Sequence, residues 1–174
     1  MEVFDLYDGL GNKLDKTMIR GTSNQKGEYH LVVHIWIRNS KGEYLIQQRN
    51  KLTDVRPFMW AITGGAVTSG EDSITGAIRE TYEELGLELS RDQIKLLKRY
   101  YIDAEVGDTT NYITDLYLAE TDASIDSLTL DKVEVKDAKF VSMDDIKYMI
   151  EHNEFWNYER LLERQGLLTL LEKS

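Results

Sequence analysis

Residues 64–88 read GGAVTSGEDSITGAIRETYEELGLE, and five carboxylates, Glu71, Asp72, Glu80, Glu83 and Glu84, crowd around the helical part of that stretch. Ile74, Ala77, Ile78, Thr81 and Leu85 fall on one face, Ser69 and Asp72 have capping-box spacing, and Gly86 supplies a stop. Together these predict a helix from about Asp72 to Leu85. At about 100° per residue, Glu83 lies about 60° to one side of Glu80 and Glu84 about 40° to the other, so three carboxylates share one ridge away from the apolar one. Each like-charge pair at this spacing costs roughly 0.2–0.5 kcal/mol, so local helix stability is not what put them there. Either the ridge is a solvated acidic face, or the folded chain holds a cation against it. Gly64 and Gly65 precede the helix at the end of a strand, where a bare backbone brings a carbonyl oxygen close to the ridge. Carboxylates, a carbonyl and waters make an all-oxygen shell, which suits Mg²⁺ or Mn²⁺ rather than zinc.

Outward from this stretch, hydrophobic periodicity gives the remaining elements. Residues 2–8 and 13–20 flank GLGN as a hairpin. HLVVHIWIR (30–38) alternates as a strand, with Leu31, Val33, Ile35 and Ile37 on one face and His30, Val32, His34 and Trp36 on the other. YLIQQR (44–49) is its hairpin partner, and segments 60–63, 95–102, 111–120 and 136–141 are further strands. A second helix starts at Ser142 with a cap-like S-x-x-D and buries Ile146, Met149 and Ile150. A third, over roughly 154–171, carries Phe155, Tyr158, Leu161, Leu162 and GLLTLL, a run that suits a core or a homodimer interface equally. Strands, helix, strands, helix, helix is the order of a mixed α/β fold with helices packed on a sheet.

Composition narrows the function classes. With 174 residues, 41% hydrophobic and 30% charged, the chain reads as one ordinary soluble domain. Its 31 acidic against 21 basic residues give a formal charge of −10, which repels nucleic-acid polymers while leaving room for a small phosphate compound bound through a metal. The absence of cysteine excludes disulfides, thiolate metal sites and thiol nucleophiles. MEVFDLYDGL lacks the basic-then-apolar pattern of a signal peptide and no apolar run approaches 18 residues, so a cytoplasmic protein without a membrane segment is expected.

The fixed positions are more specific than the three glutamates. Gly65, five residues, Glu71, seven residues, then Arg79-Glu80-x-x-Glu83-Glu84-x-Gly86-Leu87 resembles the Nudix box, the loop-helix-loop signature of the Nudix hydrolase family. Thr81 departs from the aliphatic residue usual there; it lies on the core-facing side, so a modest packing difference is expected. The resemblance extends over 28–150 through GEYLIQQR, MWAITGG and KFVSMDDI. It implies a Nudix fold, with a mixed β-sheet sandwiched between helices (α/β/α). It further implies one Nudix domain over 1–174, made of an N-terminal hairpin extension (1–27), a core (28–150) and a C-terminal helix (151–174). The implied activity is hydrolysis of a nucleoside diphosphate linked to another group, or of a related diphosphate, with Mg²⁺ as cofactor and Mn²⁺ as a substitute. On the same basis Glu83 and Glu84 are metal ligands, Gly64 offers its carbonyl, and Glu80 is a ligand or the base that activates water. Arg79 orients the carboxylates, and Glu71 stands at the helix start beside the cluster.

Some family members complete the site with a carboxylate from outside the box. Glu134, six residues before Phe140 at the mouth of the last strand, is the choice here, with Glu105, Asp108 and Glu120 as rivals. His30 and His34 point to the same face about 13 Å apart at ~3.3 Å per residue, too far to clamp one ion; either they are polar members of a partly exposed strand face, or one of them, His30, contacts substrate. Arg49, at a strand end, suits either a substrate phosphate or a pair with an acidic neighbour. Trp36 and Trp60 are either base-stacking or core aromatics. Within the family, the hairpin, EYHLVVHIWI and GEYLIQQR look closest to the isopentenyl-diphosphate isomerase branch. That enzyme needs a cysteine just before a Gly-His pair, and the corresponding residues here are Gly64, Gly65 and Ala66. A ligand-binding module without turnover is the remaining alternative, but such proteins usually lose box carboxylates, and Glu71, Glu80, Glu83 and Glu84 are all present.

Overall fold

In the computed structural model, residues 1–50, 56–104, 110–156 and 166–174 are described. The strands are β1 (Val3–Tyr7), β2 (Lys13–Ile19), β3 (Tyr29–Arg38), β4 (Tyr44–Arg49), β5 (Trp60–Ala61), β6 (Thr63–Ala66), β7 (Ile94–Ile102), β8 (Tyr112–Glu120) and β9 (Val135–Val141). The helices are α1 (Ser73–Leu85), α2 (Met143–Glu151) and α3 (Leu167–Glu172).

Strand β3 organises the sheet. Along one edge it pairs in parallel with β8 from His30 to Arg38. Its other edge is divided among three antiparallel partners: β1 opposite His30, β6 opposite Val32 to Ile35, and β4 opposite Ile37 and Arg38. This division places Gly64 and Gly65 of β6 in the middle of the sheet, opposite His34 and Val33.

The period-two alternation of β3 then fixes two cores. Leu31, Val33, Ile35 and Ile37 pack with Ile113 and Tyr117 of β8 and with Ala77 and Leu85 of α1. Trp36 packs on the opposite side with Tyr44, Ile46 and Leu116, under Ile146 and Met149 of α2 and Leu167 and Leu171 of α3. The mixed sheet is therefore sandwiched between helices, as the sequence implied. Trp36 is fully buried in this core rather than in a cleft. Trp60 packs against the same core, with the Lys139 ammonium 4.2 Å from its ring. Two leucines of GLLTLL are consumed by the chain's own core.

Two local expectations change. Asp72, rather than Ser69, caps α1: its carboxylate accepts from Thr75 N at 2.8 Å, while Ser69 Oγ donates to Asp5 of β1 at 2.7 Å. The third helix does not begin at 154. Glu154 and Phe155 run extended beside Trp60, because a backbone bond from Trp60 N to Glu154 O captures the segment as a bridge to β5. Described helix resumes at Leu167; Tyr158, Leu161 and Leu162 lie outside the described residues. The second helix keeps its predicted capping box between Ser142 and Asp145.

Candidate active site

The site begins with the loop that feeds α1. Asp5, buried on β1, holds this loop by accepting from Ser69 Oγ and from Gly70 N at 2.9 Å, while Lys13 Nζ pairs with it at 2.6 Å. Burial alone would raise the Asp5 pKa, but the bonds from Lys13, Gly70 and Ser69 outweigh it and keep the carboxyl below its ordinary value. The first residue of α1, Ser73, is tied to Asp115 of β8, a fully buried carboxylate that Arg99 also holds through two bonds of 2.6 and 2.7 Å. The helix is thus clamped at its start to the sheet, and its carboxylate ridge is aimed along β6.

Arg79 gathers the box carboxylates. Its guanidinium donates to Glu71 at 2.9 Å, to Glu80 at 2.9 Å, to Glu83 at 2.9 Å and to the Ala66 carbonyl at 3.1 Å. Burial works against its charge, but these carboxylates more than compensate and raise its pKa further above the usual value. Glu71 is likewise held below its ordinary value, because bonds from Arg79 and Thr68 outweigh the effect of burial.

Glu80 and Glu84 behave differently. Burial raises the Glu80 pKa, Arg79 opposes it, and the charges of Glu83 and Glu134 add to the rise. Glu84 is buried, and burial pushes its carboxyl up to about 8 against the bond it accepts from Gln47 Nε2 at 2.8 Å. Glycine is required opposite this ridge. A Cβ on Gly65 would collide with the Glu80 carboxylate, and one on Gly64 would stand 2.6 Å from the Val33 carbonyl.

One cleft of about 580 Å³ collects the predicted residues: Gly64, Arg79, Glu80, Glu83, Glu84 and Glu134 all line it, and so do His30 and Arg49. Glu71 reaches it through Arg79. Among the rivals of Glu134, Glu120 pairs with Arg38 at 2.8 Å in another part of the surface, and Glu105 and Asp108 lie outside the described residues. His34 is buried, with Nδ1 3.1 Å from the Tyr100 hydroxyl. Arg49 stacks its guanidinium 4.9 Å from the Trp156 ring centre. Among the described residues no group of three or more His, Asp or Glu side chains is arranged around a common point for a metal ion; Arg79 draws three of the carboxylates toward itself instead.

Sequence reading missed Asp131, Gln47 and the hairpin side of this cleft. Asp131 N donates to the Glu84 carbonyl at 3.0 Å and its own carbonyl accepts from Glu134 N, so it fastens the loop that delivers Glu134 to the end of α1. The available signal was D-x-x-E ahead of a strand. For Gln47 it was a polar residue on a strand otherwise apolar at its start, YLIQQR, where the side chain proves to be 3% exposed.

The sequence profile of the NUDIX domain matches residues 28–164, which include every residue of the ridge and the two glycines. The chain belongs to the Nudix hydrolase family. An uncharacterized Nudix hydrolase of Listeria monocytogenes is 33% identical over 159 residues, covering 91% of this chain and 90% of that protein. The isopentenyl-diphosphate Delta-isomerase of Pectobacterium atrosepticum is 27% identical over 130 residues, covering 74% of this chain and 70% of the isomerase. The crystal structure of DR0079 from Deinococcus radiodurans superposes with a TM-score of 0.71 at 22% identity, covering 94% of this chain and 98% of that one, and confirms the Nudix fold. No helix among the described residues is long and apolar enough to cross a membrane.

Proposed function

We propose that this Nudix hydrolase cleaves a diphosphate linkage in a small molecule, a nucleoside diphosphate linked to another group or a related diphosphate, with the aid of Mg²⁺ or Mn²⁺. The observation that carries the reading is the convergence on one cleft of Glu80, Glu83 and Glu84 from α1 with Glu134 from the loop before β9. A buried carboxylate such as Glu84, pushed up to about 8 and facing the charges of Glu80 and Glu134, fits a site built to share a cation. The donor set is all oxygen, and the bare backbone of Gly64 adds a carbonyl to it, which fits a hard divalent ion. Glu80, Glu83, Glu84 and the Gly64 carbonyl would hold that ion, and when bound it neutralises the diphosphate and favours ionisation of water.

The remaining work falls to the chain. Arg79 orients Glu71, Glu80 and Glu83 through its forked donors. Glu80 or Glu134 accepts the proton of the attacking water; the raised pKa of Glu80 suits that task. Arg49 binds a phosphate oxygen, and His30 contacts the group attached to the diphosphate. Isomerase chemistry is disfavoured because the chain has no cysteine, and Gly64, Gly65 and Ala66 stand where that enzyme carries its thiol and histidine.

The test is a panel of nucleotide sugars, dinucleotides, coenzyme A derivatives, nucleoside diphosphates and prenyl diphosphates, each with Mg²⁺, Mn²⁺ or chelator. Metal-dependent release of a phosphorylated product from at least one compound is expected, together with a rise in melting temperature in millimolar metal, since an ion that binds only the folded state stabilises it. Turnover that survives chelation, or none on any compound, would overturn the proposal.

A further inference from the structure

The cleft has a wall that lies outside the matched family domain. Phe4 of β1, Met18 of β2 and Arg20 just beyond it line its far side, and all three precede residue 28, where the domain match begins. The wall is not loosely attached: Leu6 pairs with His30 across β1 and β3, and the Phe4 ring stacks on the His30 imidazole at 5.4 Å and 21°. His30 is 8% exposed and lines the cleft, yet its Nδ1 has no hydrogen-bond partner among the described residues. A buried polar atom left without a partner in a native structure calls for an explanation, and a ligand atom is one. Arg20, by contrast, is 64% exposed and is met by Glu2 at 2.6 Å, so donors and an acceptor stand together at the rim.

We infer that the N-terminal hairpin sets substrate specificity by receiving the group carried on the diphosphate, with Phe4 and Met18 against its face and His30 and Arg20 bonded to its polar edge. This rests on the proposed diphosphate hydrolysis. The chemistry it recognises is an uncharged ring with several hydrogen-bonding groups, supplied by a nucleobase or by a sugar. Burial pushes His30 down to about 4, so near pH 7 the imidazole is neutral and offers one donor and one acceptor. A purely hydrocarbon chain would leave Nδ1 unsatisfied and Arg20 and Glu2 unused.

Two measurements test the wall. Arg20→Ala removes an exposed side chain, so folding is not at stake. It is expected to raise KM for nucleotide sugars or dinucleotides about tenfold with kcat within about twofold, and so to narrow the preference for them over an alkyl diphosphate. An equal loss on ring-bearing and alkyl diphosphates would overturn the assignment. The second measurement needs no turnover and no metal. The chain has five methionines, so ¹³C-methyl labelling gives few resonances, and Met18→Leu identifies the one that matters while keeping the packing volume. The Met18 methyl should shift with a nucleoside diphosphate if a base fills the wall, only with a nucleotide sugar if a sugar does, and with neither pyrophosphate nor an alkyl diphosphate. No shift with any compound, or the same shift with pyrophosphate, would refute the wall. If no diphosphate is hydrolysed, the hydrolysis proposal fails alone, and the Met18 resonance still decides this one.

Discussion

A single guanidinium explains how like charges stay together on α1 when no metal balances them. Arg79 bridges Glu71, Glu80 and Glu83 at once and offsets part of their repulsion, whereas Glu84 is not among its partners and accepts from Gln47 instead. Glu84→Gln should therefore separate function from stability. The amide keeps the bond from Gln47 Nε2 and can donate to Gln47 Oε1, which has no partner among the described residues. Unfolding of the metal-free variant at neutral pH should show equal or greater stability, while steady-state assay should show most turnover lost. A variant with full turnover would remove Glu84 from the site. Glu134 is a sharper test, since no fixed motif marks it. Glu134→Gln should lower kcat by ~10²–10⁴ if its carboxylate accepts the proton of water or completes the metal shell. Glu120→Gln, which breaks only the exposed pair with Arg38, should stay within about twofold. No loss in either variant would leave the box carboxylates acting alone.

At the scale of the element, the C-terminal end of α1 does two jobs. Gly86 ends the helix in the left-handed conformation, φ 64°, and the backbone N–H of Thr129 donates to the Leu85 carbonyl at 2.9 Å. The same segment, two residues later, bonds to Glu84 through Asp131 N and then delivers Glu134 to the cleft. A Cβ on Gly86 would stand 2.7 Å from Thr129 Cβ and 2.8 Å from its carbonyl oxygen, and the backbone there is strained for any L side chain. Gly86→Ala should thus cost roughly 1–3 kcal/mol in chemical denaturation and also lower turnover, because relief of the collision displaces the Glu134 loop. Loss of stability with full turnover would show that the loop does not depend on this joint. At the other end, Asp5 secures the loop before the helix, so the hairpin and the box share one support.

For the molecule as a whole, the buried histidines set the acid limb of stability. Burial pushes both His30 and His34 down to about 4, against an ordinary value of 6.5. Between those values the unfolded chain binds more protons than the folded one, so stability present above pH 6.5 is lost as pH falls toward 4, by up to ~1.4 kcal/mol per pH unit for each histidine. Glu84 works in the opposite sense: with its carboxyl at about 8 when folded and 4.5 when unfolded, it strengthens the fold as pH falls from 8. Asp5 and Glu71, both held below their ordinary values, withdraw their contributions only at lower pH, near 4 and below. In chelator, stability should peak near pH 6–7. Because Glu84 offsets one of the two histidines, His34→Asn, which can still meet the Tyr100 hydroxyl, should flatten the acid slope measured by urea unfolding between about pH 6 and 5. An unchanged slope would mean that His34 is not neutral in the folded state.

Periodicity alone determined most elements of this protein. The alternation of Leu31, Val33, Ile35 and Ile37 against Trp36 assigned both faces of β3 correctly, because a strand buried on two sides still sorts its side chains by parity. The helix from Ser73 to Leu85 and its stop at Gly86 were legible for the same local reasons: an amphipathic spacing of 3.6 and a position that only glycine occupies without strain. The ridge of Glu80, Glu83 and Glu84 followed from that helix. Tertiary contacts decided what local pattern does not encode. Ser69 left its capping position because Asp5, 64 residues earlier, offers it a buried carboxylate. Residues 154 and 155 run extended because Trp60 supplies a backbone partner there. Glu134 reached the cleft and Glu120 did not, although both are ordinary acidic residues beside strands, because Asp131 bonds to the end of α1 while Arg38 holds Glu120 elsewhere. The hairpin became a wall of the same cleft through the pairing of Leu6 with His30, a long-range choice of register that the sequence of neither strand announces.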